Sequence, residues 1–535
     1  MLRKINSAIS YKLSAIRKKL SLCLLSALLL ILSFPGFNFW VLAWVGFVPL
    51  FFVLQGKTKG KAFLLSYLTG VVFWAGIIYW LVHVTLPGTI VLILYLALYF
   101  GIFGLIISAY RLQLKAYSLL FIPSVWVLLE YIRGHLFSGF PWALLGYSQY
   151  LNLPVIQIAD ITGAWGVSFL VMMANVAIYS AISYKLSAIK KIQKLFPPLL
   201  ILFMILMYGY FRIYNLQLKA YSLKLKVSVI QGNIPQLLKW DEQYAGFILD
   251  RYSELTKKAA GEKPDLIVWP EAASPGIFGE DDWVYEKISS LVQEIKIPLL
   301  FGAVVRDREY YFGSALLMNS AGEIVRRYDK LHLVPFGEYI PLKKFLPFLT
   351  KVVPIGDIER GKEYTIFKIP NSKSQIPNKS QIPNVKCQTF NNFAVLDCFE
   401  DVFPELAREF TKRGAGFLVN ITNDAWYKQT SAPYQHLQAS VFRAVENRRP
   451  LARAANTGVS GFIAPTGRII SLVGDKNGKN IFITGYKTEE LQVNQGLLSV
   501  YARYGDFFIV ACFLIIVYGI ILKFKIQKSK IQFKT

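Results

Sequence analysis

Cysteine and histidine are both scarce in this chain, which has four of each among 535 residues. No Cys-x-x-Cys pair and no His-Glu-x-x-His motif occurs, and the histidines (His83, His135, His332 and His436) are far apart in the sequence. A zinc site and a framework of several disulfide bonds are therefore not expected. Any reactive thiol must be one of a very small set of cysteines.

Acidic residues are also in short supply, because 33 Asp and Glu stand against 59 Lys and Arg, a formal net charge of +26. In a soluble protein, this excess would indicate nucleic-acid binding. Here, much of the positive charge lies in short segments between long apolar runs, and hydrophobic residues make up 54% of the chain. The composition therefore favours a membrane protein, and nucleic acid is not expected as a partner.

Eight apolar runs are long enough, or nearly long enough, to cross a bilayer as helices. They lie at 21–37, 40–55, 62–83, 88–110, 117–133, 165–184, 196–213 and 506–522. The first run is short and contains Pro35, but no small-x-small cleavage site follows it, so we interpret it as an anchor rather than a signal peptide. The runs predict a seven-span membrane domain at 21–213 and an eighth span at 506–522.

Along the chain, loops that contain lysine or arginine alternate with loops that contain neither. Lysine and arginine occur in the tails 1–20 and 523–535 and in the loops after the second, fourth and sixth runs, whereas the short loops "FPGFN" and "HVTLPGT" have none. Positive residues in short loops stay on the cytoplasmic side. Both tails are therefore predicted to be cytoplasmic, and the segment between the last two runs is predicted to lie outside, at the periplasmic face of a bacterial inner membrane.

Residues 225–490 have a different pattern. Short β-branched runs such as "KVSVIQGN", "DLIVWPE" and "GFLVNITND" alternate with helix-like stretches, which predicts one α/β domain. The polar segment 371–388 contains "SQIPN" twice, and we interpret it as a disordered surface insertion. Cys387 lies in that segment and is not taken as a reactive residue.

Three stretches of this domain place a reactive side chain just after a predicted strand. Glu271 follows in "DLIVWPEAASP", Lys330 and Glu338 in "YDKLHLVPFGEYIP", and Cys398 in "VLDCFED". A base, a cation and a thiol at the ends of strands can converge at one end of a sheet. Each alone has a simpler interpretation, since a Glu at a strand end is usually a solvated turn residue and a cysteine is usually a small core residue.

Together, these stretches resemble the nitrilase (carbon–nitrogen hydrolase) superfamily and, more closely, its membrane branch, the apolipoprotein N-acyltransferases. The resemblance extends over nearly the whole chain outside the tails and the insertion. It is carried by "VIQGNIPQLLKWDE", "VWPEAASP", "YDKLHLVPFGEYIPL", "CFED", "NITNDAWY", "PYQHLQASVFRAVENRRPLARAANTGVSG" and, in the membrane part, "GFPWALLGYSQY". It implies an α-β-β-α sandwich domain together with a bundle of eight membrane-spanning helices.

The resemblance also implies a Glu-Lys-Cys triad, with Cys398 as nucleophile, Glu271 as general base and Lys330 as oxyanion stabiliser. The supporting residues that it implies are the acids Glu338 and Glu400, the main-chain N–H of Phe399, and the aromatic residues Trp240, Trp426, Tyr427 and Tyr339 around the substrate pocket. Lys330 and a helix that begins after Cys398 are expected to lower the pKa of the thiol. The chain departs from the family pattern at Phe399, at Tyr427 and at Lys428. No cofactor is implied.

The implied reaction has two steps. Cys398 takes an acyl chain from a membrane phospholipid, and the thioester then passes it to the α-amine of the N-terminal S-diacylglyceryl-cysteine of an apolipoprotein. Two alternatives remain open. A membrane-tethered amidase would use the same triad with water as acceptor, but it leaves "GFPWALLGYSQY" unexplained. A multipass transporter or scaffold is disfavoured, because the predicted spans contain almost no ionisable residues near mid-membrane.

Overall fold

The computed structural model describes residues 2–110, 117–183, 188–218, 223–340, 358–370, 391–493 and 498–532. The chain divides into two compact units, one formed by Met1–Tyr210 with Asp506–Thr535 and the other by Phe211–Gly505. The predicted insertion at 371–388, with Cys387, lies outside the described residues.

The first unit is helical. Its elements are α1 (Leu2–Leu32), α2 (Val48–Leu54), α3 (Lys59–Ile77), α4 (Leu86–Ala109), α5 (Ser118–His135), α6 (Leu153–Ile156), α7 (Ala159–Thr162), α8 (Ala164–Ser183), most of α9 (Ala188–Leu218) and the C-terminal helix (Phe507–Gln532). Apolar residues occupy most positions of α4 and α8, as expected for helices that cross a membrane.

Five of the described helices are long and apolar enough to cross a membrane. They are Lys59–Ile77, Leu86–Ala109, Ala164–Ser183, Leu195–Asn215 and Phe507–Lys525, and each overlaps a predicted run. The run at 40–55 forms a 3₁₀ turn (Trp40–Trp44) followed by the short helix α2, while the runs at 21–37 and 117–133 overlap α1 and α5. Apolar helices are therefore confirmed, and the count of eight spans stays a prediction.

The segment "GFPWALLGYSQY" is folded around two charged residues of α5. Arg133 Nη1 donates to the carbonyl oxygens of Phe140 (2.8 Å) and Trp142 (2.7 Å), and its guanidinium lies over the ring of Trp74. Glu130 Oε1 accepts the N–H of Leu145 at 2.7 Å. These buried charges therefore satisfy main-chain groups that leave helical geometry after α5.

The second unit contains two β-sheets. Its strands are β1 (Leu223–Gln231), β2 (Leu266–Val268), β3 (Ile277–Phe278), β4 (Leu299–Asp307), β5 (Tyr310–Met318), β6 (Ile324–Asp329), β7 (Phe367–Lys368), β8 (Asn392–Asp397), β9 (Phe417–Thr422), β10 (Leu451–Ala455), β11 (Gly461–Ile463), β12 (Ile469–Leu472) and β13 (Gly485–Val493). Its further helices are α10 (Ala245–Ala260), α11 (Asp282–Ile295), α12 (Pro404–Lys412), α13 (Ala432–Asn447) and α14 (Val500–Tyr504).

The two sheets lie face to face between helices. The described strands follow the order β13-β1-β2-β4-β5-β6 in one sheet, with β3 beside β4, and β12-β11-β10-β9-β8-β7 in the other. Strands β1 and β5 contact β10 and β8 across the sandwich, α10 packs on β1 and β2, and α12 packs on β8. The predicted α/β fold is confirmed, and its layers run helix, sheet, sheet, helix.

Strand direction explains where the predicted site residues lie. Strands β1, β2 and β4 are parallel. Strand β5 is antiparallel to both β4 and β6, so β6 runs in the same direction as β4. In the other sheet, β8, β9 and β10 are parallel and almost entirely buried. Parallel strands place their carboxyl ends at one edge of a sheet, so the residues after β2 and β6 share an edge, as do those after β8 and β9.

Candidate active site

Lys330 joins two of the predicted site residues directly. It follows β6, its side chain is buried, and its Nζ donates to Glu338 Oε1 at 2.7 Å and to Glu271 Oε1 at 3.3 Å. The charges of Glu271 and Lys330 both act on the thiol of Cys398. The structure therefore brings Glu271, Lys330, Glu338 and Cys398 into one cluster.

Glu271 is carried by a tight turn after β2. Gly302 N donates to Pro270 O at 3.1 Å, and Ala273 N donates to Gly302 O at 2.8 Å, so the turn follows the backbone of β4. A Cβ atom on Gly302 would lie 2.6 Å from both Ala272 N and Pro270 O. Only glycine allows this approach, which fixes the position of the Glu271 main chain.

The backbone of Cys398 is strained, and hydrogen bonds from nearby side chains hold it in this conformation. Its φ is 52°, in the left-handed region that residues with a side chain seldom adopt. Asn420 Nδ2 donates to the Cys398 carbonyl oxygen at 3.1 Å, and His436 Nε2 lies 3.2 Å from the same oxygen. Thr422 Oγ1 donates to Sγ at 3.2 Å. The thiol is thus fixed at the start of the 3₁₀ turn Cys398–Val402.

Glu400 connects the backbone near Lys330 to the backbone near Cys398. Its carboxylate accepts the main-chain N–H groups of Leu331 (2.6 Å), His332 (2.9 Å) and Asp397 (2.7 Å) and the hydroxyl of Tyr328 (2.8 Å). Two of these donors directly follow Lys330, and one directly precedes Cys398. Glu400 therefore supports these residues through the main chain, whereas Glu338 binds the Lys330 ammonium itself.

The expectation that the thiol pKa is lowered is wrong. Burial, and then the carboxylate of Glu271, raise the pKa of Cys398 well above its ordinary value, although Lys330 and Thr422 act in the opposite direction. The physical reason is that the sulfur is removed from water, while the ammonium of Lys330 is shared between two carboxylates. The element that begins at Cys398 is a 3₁₀ turn of five residues and not the longer helix that the sequence suggested, so fewer aligned peptide dipoles act on the sulfur. Cys398 is therefore a thiol at rest.

Lys330, by contrast, keeps its charge. Burial alone would lower the pKa of its ammonium, but Glu338 and Glu271 together raise that pKa well above its ordinary value. A permanent ammonium beside a protonated thiol indicates that the thiol must lose its proton to a base as it reacts.

The remaining predicted residues occupy different positions. Tyr427 is half-buried, and burial followed by the nearby Cys398 raises the pKa of its phenol well above its usual value. Trp240 and Trp426 are each about half exposed. Phe399 and Tyr339 are half-buried, with the Phe399 ring 5.1 Å from that of Phe403. Of the aromatic residues predicted around the pocket, Tyr427 is thus the one whose interaction with the thiol is defined.

A buried network that the sequence analysis missed lies behind Cys398. His436 Nε2 lies 2.8 Å from Asp401 Oδ1, and its Nδ1 lies 2.9 Å from Asp424 Oδ1. Arg453 reaches the same two carboxylates at 3.0 and 3.4 Å. Burial opposes a charged imidazole, but Asp401 and Asp424 raise the pKa of His436 to about 9. Two cations and two carboxylates thus balance inside the domain.

Lys239 was also missed. Its ammonium is buried, donates to the main-chain oxygen of Glu271 at 2.8 Å, and acts electrostatically on Cys398. The "KW" dipeptide lies in a polar loop sequence, where a lysine is ordinarily exposed, so no sequence signal identified it.

Within the described residues, no group of three His, Cys, Asp or Glu side chains is arranged to hold a metal ion.

Two family models match this chain, one in the α/β domain and one in the helical part. A model of the carbon–nitrogen hydrolase family matches residues 226–492, and a model of the apolipoprotein N-acyltransferase N-terminal domain matches residues 26–177. An apolipoprotein N-acyltransferase of Geobacter metallireducens is 38% identical over 93% of each chain. One from Pasteurella multocida is 30% identical over 84% of this chain and 86% of its own.

Among solved structures, a mutant of an amidase of the nitrilase superfamily from Nesterenkonia is similar at 18% identity and a TM-score of 0.37, covering 53% of this chain and 94% of that one. The sequence relatives are much closer and extend through the helical part as well as the α/β domain. The chain belongs to the apolipoprotein N-acyltransferase family.

Proposed function

We propose that this chain transfers an acyl chain from a membrane phospholipid, through a thioester at Cys398, to the N-terminal α-amine of S-diacylglyceryl-cysteine in apolipoproteins. The observation that carries the proposal is the cluster of Glu271, Lys330 and Cys398, in which Lys330 Nζ lies 3.3 Å from Glu271 and both charges act on the thiol. Membership of an acyltransferase family supports the same reaction.

Acylation begins with transfer of the thiol proton to Glu271. As the proton leaves, Sγ of Cys398 attacks the ester carbonyl carbon of the phospholipid, a C–S bond forms, and the carbonyl oxygen becomes an oxyanion. Lys330 and the main-chain N–H of Phe399 donate to that oxyanion. When the oxyanion collapses, the ester C–O bond breaks, and Glu271 returns the proton to the departing lysophospholipid oxygen.

The second step repeats this sequence with an amine. The neutral α-amine of the acceptor attacks the thioester carbonyl and passes a proton to Glu271 as the C–N bond forms. The C–S bond then breaks, and the proton goes to the departing sulfur. The raised pKa of the Cys398 thiol favours this return to the protonated form. Burial of Cys398 limits the access of water, which would otherwise hydrolyse the thioester.

The same proposal includes the membrane arrangement. This arrangement has eight spans, cytoplasmic termini and a periplasmic α/β domain in the inner membrane. Five apolar helices support insertion in a membrane, the eight apolar runs of the sequence support the number of spans, and the alternation of basic loops supports the orientation. Alkaline phosphatase fused within 371–388 should be active, whereas the same enzyme fused after residue 535 should be inactive. Activity of the C-terminal fusion would contradict this topology.

The test of the reaction is the fate of the acyl chain. Purified protein is given a phospholipid with a labelled acyl chain and a synthetic peptide that begins with S-diacylglyceryl-cysteine. We expect the label in an amide at the peptide N-terminus, together with one lysophospholipid for each amide. Release of the label as free fatty acid with no amide would indicate a hydrolase instead. Cys398→Ala should abolish the product, and Cys512→Ala, a buried cysteine of the C-terminal helix, is the matched control.

A further inference from the structure

The segment 235–244 reverses the usual preference for burial. Leu237 and Trp240 are 91% and 53% exposed, whereas Lys239 between them is 3% exposed. Leucine and tryptophan are normally buried and lysine exposed, because an ammonium loses its hydration when it leaves water. A buried lysine on an otherwise exposed segment therefore requires a specific partner.

That partner is the main chain of Glu271. Lys239 Nζ donates to the Glu271 carbonyl oxygen at 2.8 Å. The start of the segment is fixed by Asn456, which bonds Ile234 in both directions at 2.8 Å, and Asn423 Nδ2 donates to Gln236 Oε1 at 2.7 Å. Lys239 is therefore directed by an anchored segment into the turn that carries Glu271.

The charges around Cys398 indicate why Lys239 is needed as a second cation in addition to Lys330. Lys330 lies within 3.3 Å of Glu271 and 2.7 Å of Glu338, so one ammonium faces two carboxylates. A thiolate at Cys398 would add further negative charge to this buried cluster. The acids that interact with Lys239 are Glu271, Cys398 and Asp397, so its ammonium offsets that excess.

We propose that Lys239 is a cationic positioning residue of the catalytic centre, which holds the Glu271 main chain and stabilises negative charge on Cys398 while the thioester forms. This inference rests on the proposed acyl transfer. Lys239 supplies the buried charge, whereas the neighbouring Trp240 lies on the exposed face of the same segment. Acylation then depends on that segment being seated against the Glu271 turn.

Titration of the Lys239 ammonium should be visible in the pH dependence of the acylation rate. Burial lowers the pKa of its ammonium to about 8, although Glu271, Cys398 and Asp397 act to raise it. Lys239 is thus charged below about pH 8 and neutral above it. Lys330 stays charged over this range because its pKa is raised. His436, with a pKa of about 9, also titrates in this range and contacts the Cys398 carbonyl oxygen. A fall in acylation rate near pH 8 is therefore assigned to Lys239 when Lys239→Arg moves that fall to higher pH.

The experiment measures single-turnover acylation of Cys398 by phosphatidylglycerol between pH 6.5 and 10. This donor has no amine that titrates in the range. We compare the wild type with Lys239→Arg, Lys239→Met and the exposed control Lys476→Met. Lys239→Met should acylate at least about tenfold more slowly at pH 7, because a neighbouring charge typically shifts a pKa by 1–3 units. Lys239→Arg should retain activity to higher pH than the wild type.

Two results would overturn the inference. One is a rate for Lys239→Met equal to that of Lys476→Met, and the other is an alkaline fall that Lys239→Arg leaves unchanged. If Lys239→Met does not fold, the comparison of the wild type with Lys239→Arg decides alone. A wild-type protein that forms no acyl adduct would contradict the proposed function itself, which distinguishes the two failures.

Discussion

Glu338, and not Glu271, is the closer partner of Lys330: their charged atoms lie 2.7 Å apart, against 3.3 Å for Glu271. The two distances indicate different roles for the two acids. Glu338 can keep Lys330 charged throughout the reaction, while Glu271 is free to accept and return a proton. A base that also had to neutralise the lysine would lose that contact each time it was protonated.

Replacing Glu338 by Gln tests this division of tasks. The neutral amide keeps the shape of the side chain but removes the largest of the charges that raise the pKa of Lys330. We expect kcat/KM to fall by about 10²-fold, the magnitude typical for loss of an oxyanion donor. The exposed Glu363→Gln serves as control. Equal kcat/KM values for the two variants would contradict the role given to Glu338.

Thr422→Val removes the hydroxyl that donates to Cys398 Sγ at 3.2 Å. This hydrogen bond lowers the pKa of the thiol, so its loss should raise that pKa further. Alkylation of Cys398 by iodoacetamide should become about tenfold slower at pH 8, which corresponds to about one pKa unit. Thr411→Val, which removes a buried hydroxyl of α12 from the Ala407 carbonyl, should leave the alkylation rate unchanged. Unchanged alkylation of Thr422→Val would contradict the contact.

Glu400→Gln tests the connection between Lys330 and Cys398. The Glu400 carboxylate accepts several N–H groups and a hydroxyl, and an amide nitrogen placed there would face donors instead of accepting from them. We expect the free energy of unfolding to fall by about 1–3 kcal/mol, together with slower acylation. Chemical denaturation of the purified protein measures the first effect. A variant as stable as the wild type would show that the carboxylate is dispensable.

His436 should make the stability of the α/β domain depend on pH. Its pKa is raised to about 9 in the folded protein, above an unfolded value of about 6.5. The stabilisation is therefore complete below about pH 6.5 and is lost as pH rises through 9, by up to about 3 kcal/mol. His436→Gln should remove this dependence, and the exposed His83→Gln should keep it. Parallel pH profiles for the wild type and His436→Gln would contradict the assignment.

The strands and the central cluster were predictable because each has a local signal. Runs such as "NFAVLD" and "GFLVNIT" are apolar over the length of a buried strand, and both form parallel strands. Glu271 and Lys330 each lie just past a strand of one sheet, and Cys398 lies just past a strand of the other. Strand direction places each residue at an end of its own sheet, and the packing of the two sheets brings the three together. Their catalytic roles remain predictions.

Other features depend on contacts between distant segments. The raised thiol pKa follows from burial and from the charge of Glu271, and neither the burial nor the position of Glu271 can be obtained from the sequence near Cys398. Lys239 and His436 resemble ordinary polar residues until the fold places carboxylates beside them. The apolar run at 40–55 contains a turn at Trp40–Trp44, which hydrophobicity alone does not predict.

The mass of the intact protein after incubation with phospholipid alone tests most directly whether Cys398 forms a thioester. We expect one acyl adduct that is labile to hydroxylamine, maps to Cys398, is absent from Cys398→Ala, and disappears when a diacylglyceryl-cysteine peptide is added. The absence of an adduct on protein that is active with both substrates, or an adduct at Cys23, Cys387 or Cys512, would contradict the thioester at Cys398.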